Sequence, residues 1–141
     1  MEGVRYVVPI TVRFRDIDAM GHVNNAVFFT YLETARVDYM RDVVFQLEGR
    51  DLTQVGLILA QISCQFQAPI FYGQLVEVGT RVVEMRNSSF IIEHRIEADG
   101  QLAALAEAVV VHYDYHAGRS VRIPDEIRAR VEAFEAKGGA S

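Results

Sequence analysis

Hydrophobic and polar positions alternate at the start of the chain. A stretch without any period follows, and then hydrophobic residues recur at the spacing of a helix. Residues 5–15 alternate with a period of two, which predicts a half-buried strand. Pro9 lies inside this segment and has no N–H to donate, so the strand is predicted at an edge of its sheet. Residues 16–25 follow no period and are rich in turn-forming side chains, which predicts a loop. Loops carried by a rigid scaffold are common places for functional side chains.

Helical spacing after this loop predicts one long, buried helix over residues 26–41. Asn24 or Asn25 can cap its N-terminus. A wide, aromatic stripe of apolar side chains indicates packing against an extensive apolar surface. The stripe comprises Phe28, Tyr31, Leu32, Ala35 and Tyr39. Val43 to Leu47 can prolong the helix, and Gly49 is expected to end it.

From residue 58 onward the alternation returns and predicts four consecutive strands joined by short turns. Asp99-Gly100 is a strong hairpin signal, since both positions tolerate a positive φ. A last helix opens at Pro124, and the residues from about 137 are expected to fray. A strand, a long helix and then several strands is an α+β order, in which the helix covers a mostly antiparallel sheet. We expect a single domain over residues 1–141.

Composition narrows the class of protein. The chain has 141 residues, 50% of them hydrophobic and 23% charged, which is enough for one buried core. The formal net charge is −5, whereas nucleic-acid-binding proteins usually carry a basic surface, so no nucleic-acid partner is expected. No apolar run reaches the ~20 residues of a membrane span, and the first residues do not resemble a signal peptide. A single cysteine, Cys64, favours a reducing, cytoplasmic setting.

Two carboxylates and an imidazole lie together in the predicted loop, on Asp16, Asp18 and His22. The first amides of a helix lack an intrahelical acceptor and lie at the positive end of its dipole. The backbone N–H of Asn25 could therefore polarise a carbonyl and hold the oxyanion that forms on attack. A carboxylate such as Asp18 could attack that carbonyl or activate a water molecule. The more common role of such aspartates, to shape a turn or cap a helix, stays open on spacing alone.

The segment from Phe14 to Asn25, followed by Tyr31-Leu32-Glu33-Thr34-Ala35-Arg36, resembles the signature of the hotdog-fold acyl-CoA thioesterases. The most similar type is the 4-hydroxybenzoyl-CoA thioesterase family, which includes the thioesterase associated with the Tol-Pal cluster. Further matches spread over nearly the whole chain. They are Gly73, Ser88-Ser89-Phe90, Asp99-Gly100 and Ile123-Pro124.

The resemblance implies a hotdog fold, in which a curved antiparallel sheet of five to six strands wraps a long central helix. It implies an enzyme that hydrolyses an acyl-CoA to a free acid and coenzyme A without a cofactor. It also implies a homodimer or homotetramer with the active site at the dimer interface. An apolar sheet face or edge covered by a second subunit agrees with the apolar half of the composition.

Residue roles follow from the same resemblance. Asp18 falls on the catalytic carboxylate, as nucleophile or general base, and the Asn25 amide falls on the group that polarises the carbonyl. His22 matches a histidine that assists the aspartate in some relatives, although Met20 stands where those relatives carry an asparagine. His22 could equally cap or pack. The resemblance also implies contacts to coenzyme A from the turn that carries Arg86, Ser88 and Ser89, although Arg86 could equally be a solvated turn residue. Gln61 on the second strand could border the site across the interface, although such residues are more often ordinary exposed strand positions.

Alternatives and weaker candidates remain. A non-catalytic protein that binds an acyl-CoA or acyl ligand on the same fold is one alternative, and a thiol-release assay separates it from an enzyme. A dehydratase acting on a 3-hydroxyacyl thioester is another, but the loop does not resemble its motif. Glu33 and Arg36 lie three residues apart on the predicted helix, which favours a structural ion pair. Cys64 is expected in the core, and the histidines show no metal-ligand spacing, so no metal site is expected.

Overall fold

An antiparallel sheet curves around one long helix. The computed structural model describes residues 1–48 and 55–139. The elements are β1 (Tyr6–Ile10), α1 (Asn25–Tyr39), β2 (Leu57–Phe66), β3 (Val76–Met85), β4 (Ser89–Ala98), β5 (Gln101–Asp114), β6 (Arg119–Ser120) and α2 (Asp125–Gly139). The strands are ordered β1-β3-β4-β5-β2, and β6 pairs with the end of β5. The predicted α+β order is confirmed.

The first strand lies at an edge of the sheet, as Pro9 predicts, and pairs only with β3. It is shorter than predicted, because it ends at Ile10 and the chain then turns through a short 3-10 segment at Phe14–Asp16. This turn breaks the alternation, so Phe14 is 83% exposed instead of facing the core. The carboxylate of Asp16 forms the turn by accepting a hydrogen bond from Arg13 N.

The long helix is confirmed, with Asn24 as its N-cap. Its predicted apolar stripe is buried throughout, on Phe28, Tyr31, Leu32, Ala35 and Tyr39. The helix is prolonged by a π-helical turn, Met40–Val44, while Gly49 lies outside the described residues. At the other end of the chain, α2 runs to Gly139 and so includes the first of the residues predicted to fray from about 137, while 140 and 141 lie outside the described part.

A β-bulge in β2 changes which residues face α1. The ladder with β5 shifts between Leu59 and Gln61, so the extra residue, Ala60, reverses the alternation. Leu59 pairs with Val110, which points into the core, and therefore shares a face with the helix. The simple alternation predicted from the sequence places Leu59 on the opposite face and is wrong at this end of the strand. Beyond the bulge, Cys64 packs against the core as predicted.

The core has two apolar halves separated by a polar layer. One half surrounds the start of α1 and includes Val23, Leu32 and Ile70. The other surrounds its end and includes Tyr39 and Phe90. Each fully buried side chain of this size stabilises the fold by about 1.5–3 kcal/mol.

The polar layer between the two halves consists of Arg36, Thr80 and His94, all buried. Thr80 Oγ1 lies 3.0 Å from His94 Nδ1, and Arg36 Nη1 lies 3.5 Å from His94 Nε2. Burial and the neighbouring Arg36 charge lower the pKa of His94 to about 3, so the ring is neutral near pH 7. The ion pair predicted between Arg36 and Glu33 is absent from the described salt bridges, because Arg36 turns inward towards His94 while Glu33 stays exposed.

Candidate active site

Asp16 fixes the loop between β1 and α1. It is only 1% exposed, and its carboxylate accepts hydrogen bonds from Arg13 N at 2.9 Å and Tyr31 Oη at 2.7 Å. The Arg13 guanidinium pairs with the other oxygen at 3.0 Å. Burial alone would raise the pKa of Asp16, but these hydrogen bonds outweigh it and hold the pKa below its usual value. Asp16 is therefore a charged structural tie between the loop and α1, with no free oxygen for chemistry.

Asp18 follows two residues later and is half-buried. Its Oδ1 accepts a hydrogen bond from Met20 N at 2.9 Å, and its Oδ2 accepts one from Asn24 Nδ2 at 3.3 Å. The backbone around it forms a tight turn, in which Asp18 N donates to His22 O and Gly21 N donates to Asp18 O. Gly21 has a φ of +88°, a left-handed conformation that favours glycine. The carboxylate is thus oriented by its own loop.

The N-terminus of α1 lies directly beside this carboxylate. Asn24 Oδ1 accepts a hydrogen bond from Ala26 N at 2.8 Å, so the cap satisfies the second amide of the helix. The first amide, Asn25 N–H, has no hydrogen bond to any described residue. One side chain, Asn24, therefore holds Asp18 with its amide nitrogen and caps the helix with its oxygen, and it leaves the Asn25 N–H available.

His22 lies on the same loop but does not bond to the carboxylate of Asp18 among the described residues. Its Nδ1 is 3.3 Å from Val23 O, which makes Nδ1 the donor and leaves Nε2 as an acceptor. The ring packs edge-on against Phe71, with ring centroids 6.4 Å apart. The described contacts of His22 are therefore with Val23 O and the ring of Phe71.

Large apolar side chains on both sides of the loop face solvent. Phe14 packs edge-on against Tyr72, and Met20 and Phe71 are also exposed. A cluster of exposed aromatic side chains around polar groups marks a surface that another molecule covers.

The predicted coenzyme A turn is remote from this loop within one chain. Ile10 and Val76 pair at the end of the sheet that carries the loop, whereas Arg86, Ser88 and Ser89 follow the opposite end of β3. Ten residues of strand span ~30 Å. The exposed Arg86 donates to Glu84 Oε2 at 2.5 Å. These three residues can share a site only with the Asp18 of another subunit.

Gln61 is exposed on the edge strand β2, and it points to the face of the sheet opposite α1. The structure therefore does not bring it to the Asp18 loop of its own chain.

The sequence prediction missed the second contact of Asn24. The capping role is readable from its place before the helix, but a cap uses only the side-chain oxygen. The sequence does show that Asn24, six residues after Asp18, has a side-chain nitrogen that capping leaves unused. Only the folded turn shows that this nitrogen contacts the carboxylate of Asp18.

Two further searches of the described residues are negative. No group of three or more histidine, cysteine or acidic side chains is arranged to hold a metal ion within residues 1–48 and 55–139. None of the described helices is long and apolar enough to cross a bilayer.

Comparison with known proteins identifies the family. The profile of the Thioesterase-like superfamily matches residues 12–131, a segment that contains the Asp18 loop, α1 and the whole ladder from β2 to β5. The chain belongs to the Thioesterase-like superfamily. Two Escherichia coli members are similar in sequence. The acyl-CoA thioester hydrolase YbgC of strain CFT073 is 28% identical over 107 residues, covering 75% of this chain and 80% of that protein. The long-chain acyl-CoA thioesterase FadM of strain K12 is 26% identical over 131 residues, covering 87% and 94%.

Solved structures of the superfamily share the whole fold. A thioesterase from Thermus thermophilus, crystallised with coenzyme A and zinc, superposes with a TM-score of 0.86 at 38% sequence identity. The match covers 96% of this chain and 98% of that one. The predicted hotdog fold, with a long helix wrapped by an antiparallel sheet, is confirmed.

Proposed function

We propose that this protein is an acyl-CoA thioesterase that hydrolyses an acyl-CoA thioester to a free acid and coenzyme A. The observation that carries the proposal is the Asp18 carboxylate, held by Asn24 beside the unused N–H of Asn25. The thioesterase names of the similar proteins YbgC and FadM agree with it. The coenzyme A bound to the similar Thermus thermophilus thioesterase supports the choice of substrate.

The Asn25 N–H supplies the electrophilic contact. A thioester carbonyl that accepts this hydrogen bond at the positive end of α1 is polarised, and the oxygen is stabilised as it becomes negative. Because the amide has no acceptor among the described residues, only a hydrogen bond to water has to be exchanged when substrate binds.

Asp18 supplies the second group, in one of two ways. As general base it takes a proton from water, and the hydroxide attacks the carbonyl carbon; the C–S bond breaks and the thiolate of coenzyme A receives a proton. As nucleophile it attacks the same carbon, displaces the thiolate and forms a mixed anhydride that water hydrolyses. Both routes give the same products. His22 Nε2, as an acceptor, would position a water molecule at the wall of the site.

A dimer completes the site in this proposal. The chain would act as one domain whose β2 edge pairs with β2 of a second copy. Ile58, Leu59 and Phe66 on this strand are 36%, 42% and 41% exposed, and a long apolar edge strand exposed to water favours pairing with another strand. Antiparallel self-pairing needs only a two-fold axis that passes between the two β2 strands. Gln61, beside that edge, would then border the neighbouring site.

Contacts to coenzyme A would come from another subunit. Arg86, with Ser88 and Ser89 on the same turn, would face a substrate held at a neighbour's Asp18 loop. A guanidinium binds phosphate well, but Arg86 would first exchange its contact with the exposed Glu84.

A thiol-release assay with short, long, branched and aromatic acyl-CoAs tests the proposal. A thioesterase should hydrolyse at least one of these substrates and release one thiol for each acid formed. Tight binding of acyl-CoAs by calorimetry without thiol release would instead support the alternative, a binding protein on the same fold.

A further inference from the structure

A cavity of about 260 Å³ lies beside the end of α1, away from the Asp18 loop. Eleven residues of helix separate Asn25 from Arg36, which corresponds to ~16 Å along the axis. The apolar walls of the cavity come from α1 and from the edge of the sheet: Val37, Met40, Leu57, Leu59 and Val110. The π-helical turn begins at Met40 in this wall, and such turns are frequent at functional sites.

A buried cation forms part of the cavity wall. Arg36 lines the cavity and is only 6% exposed. Its one described hydrogen-bond partner is the ring of His94, which is neutral. Burial lowers the pKa of Arg36, but an arginine guanidinium stays charged in proteins. The charge of Glu33 acts in the opposite direction on this pKa, but no acid among the described residues lies within salt-bridge distance of Arg36. A buried charge without a close anion is costly, so Arg36 favours an acceptor brought by a ligand.

The other charged groups at the cavity are either paired in salt bridges or exposed to water. Arg41 also lines it, but forms salt bridges with Asp38 at 3.1 Å and Asp42 at 2.7 Å. Glu33 lines the cavity from an exposed position and is not within salt-bridge distance of Arg36 in the described structure. Among the described residues of the wall, Arg36 is therefore the cation without a salt bridge.

We propose that this cavity receives the far end of the acyl group and that Arg36 binds a carboxylate carried there. The preferred substrates are then ω-carboxyacyl thioesters, the mono-CoA esters of dicarboxylic acids. This inference rests on the proposed thioesterase function. The apolar walls take the methylene chain, and the planar guanidinium can bind a carboxylate with two parallel hydrogen bonds. A cavity of this size fits the end of an acyl chain, while coenzyme A itself stays outside.

The test compares linear acyl-CoAs that end in a carboxylate with acyl-CoAs of equal length that end in a methyl group. The series runs from succinyl-CoA to dodecanedioyl-CoA, and kcat/KM is measured from thiol release. At the best length the carboxylate is expected to raise kcat/KM by about tenfold or more. Equal rates for both ends at every length would overturn the inference.

Two matched variants locate the effect. Arg36→Met should abolish the preference for the carboxylate, whereas Arg41→Met should keep it, because Arg41 is already neutralised by two aspartates. A preference that survives in folded Arg36→Met protein, or that disappears in Arg41→Met, contradicts the assignment. If Arg36→Met does not fold, Val37→Glu and Val37→Gln replace it. The glutamate supplies an internal carboxylate to Arg36 and should remove the preference for carboxylate-ended substrates, whereas the glutamine should keep it. The same preference in both variants would overturn the inference.

A binding measurement separates this inference from the proposed function. Calorimetry with the free dicarboxylic acids needs no turnover. Binding that is weakened about tenfold or more in Arg36→Met supports the carboxylate site even if no thioester is hydrolysed. If thiol is released but Arg36→Met changes neither diacid binding nor substrate preference, the proposed thioesterase function is supported and the carboxylate site is contradicted.

Discussion

At the scale of single residues, the site depends on Asn24, whose side chain makes two contacts at once. Its oxygen caps α1 at Ala26 N, and its nitrogen donates to Asp18 Oδ2. The cap fixes where the helix begins, and the second contact fixes where the carboxylate lies relative to the N–H of Asn25. Stability and activity are therefore separable at this position.

Asn24→Ser separates them. Serine caps helices about as well as asparagine, but its hydroxyl is one bond shorter and it lacks the separate amide nitrogen that reaches Asp18 Oδ2 while the oxygen caps the helix. We expect a melting temperature close to that of wild type, because the 3.3 Å contact is exposed and weak. We also expect a kcat lowered about tenfold with little change in KM, because the carboxylate loses the contact that orients it. Asn24→Ala is the control: it also loses the cap, which costs about 0.5–2 kcal/mol of stability. A Ser variant with unchanged kcat would show that the contact does not position Asp18.

Tyr31→Phe tests the tie made by Asp16. The variant loses the 2.7 Å hydrogen bond to a buried carboxylate, which should lower the free energy of unfolding by about 1–3 kcal/mol near neutral pH. The pKa of Asp16 is lowered in the folded protein, so its contribution is present above the unfolded pKa and is lost as the pH falls through the folded one.

The difference in unfolding free energy between wild type and Tyr31→Phe should therefore shrink below the unfolded value of ~3.9. Urea unfolding at several pH values measures it. A difference that stays constant with pH would mean that the hydroxyl stabilises the fold without acting on the Asp16 charge.

At the scale of elements, most of the fold could be predicted from the sequence. Alternation, helical spacing and turn residues are local signals, and they predicted α1, the four later strands and the Asp99-Gly100 hairpin. The hairpin has positive φ at both positions, +50° and +79°, as its turn chemistry requires. The edge position of β1 followed from one residue, Pro9.

What the sequence could not show depends on contacts between elements. The bulge at Ala60 turns Leu59 towards α1, and no local pattern marks it. The inward turn of Arg36 towards His94 depends on a partner 58 residues away, so the three-residue spacing to Glu33 was misleading. The pairing of Asp18 with Asn24 likewise requires a folded loop. Half of the candidate site, the carboxylate and the amide, was predictable, and the residue that joins them was not.

A second bulge, in β3, joins α2 to the sheet. The ladder with β4 shifts after Val82, whose N–H donates to Glu135 Oε2 of α2 at 2.9 Å. The same oxygen accepts a hydrogen bond from Tyr39 Oη. Burial and this carboxylate raise the pKa of Tyr39, so the hydroxyl remains a donor at all ordinary pH values.

Glu135→Ala should therefore destabilise the protein by about 1–3 kcal/mol, because two donors lose their acceptor. Glu132→Ala, an exposed acid one turn earlier on α2, is the control and should change stability by less than ~0.5 kcal/mol. Thermal unfolding of the two variants makes the comparison. Equal effects would mean that α2 is held by its apolar face alone.

At the scale of the whole molecule, the exposed edge of β2 decides whether one chain is a complete unit. Ile58→Lys places a charge on that edge, which opposes strand pairing between subunits. We expect sedimentation analysis to show a dimer for the wild type and a weaker dimer for the variant, with activity falling alongside. Val83→Lys changes an equally exposed residue on β3, inside the sheet, and should leave association unchanged. A wild-type protein that is active as a monomer would exclude the shared site.

The central claim, that Asp18 is the group that acts on the thioester, has one direct measurement. Thiol release is compared for wild type and Asp18→Asn on the best acyl-CoA, with Asp125→Asn, an exposed aspartate on α2, as the control. The amide keeps the shape of the side chain but cannot act as base or nucleophile. The account predicts a folded Asp18→Asn protein whose kcat is about 10²- to 10⁴-fold lower, and an unchanged control. A folded Asp18→Asn protein with wild-type kcat would contradict it.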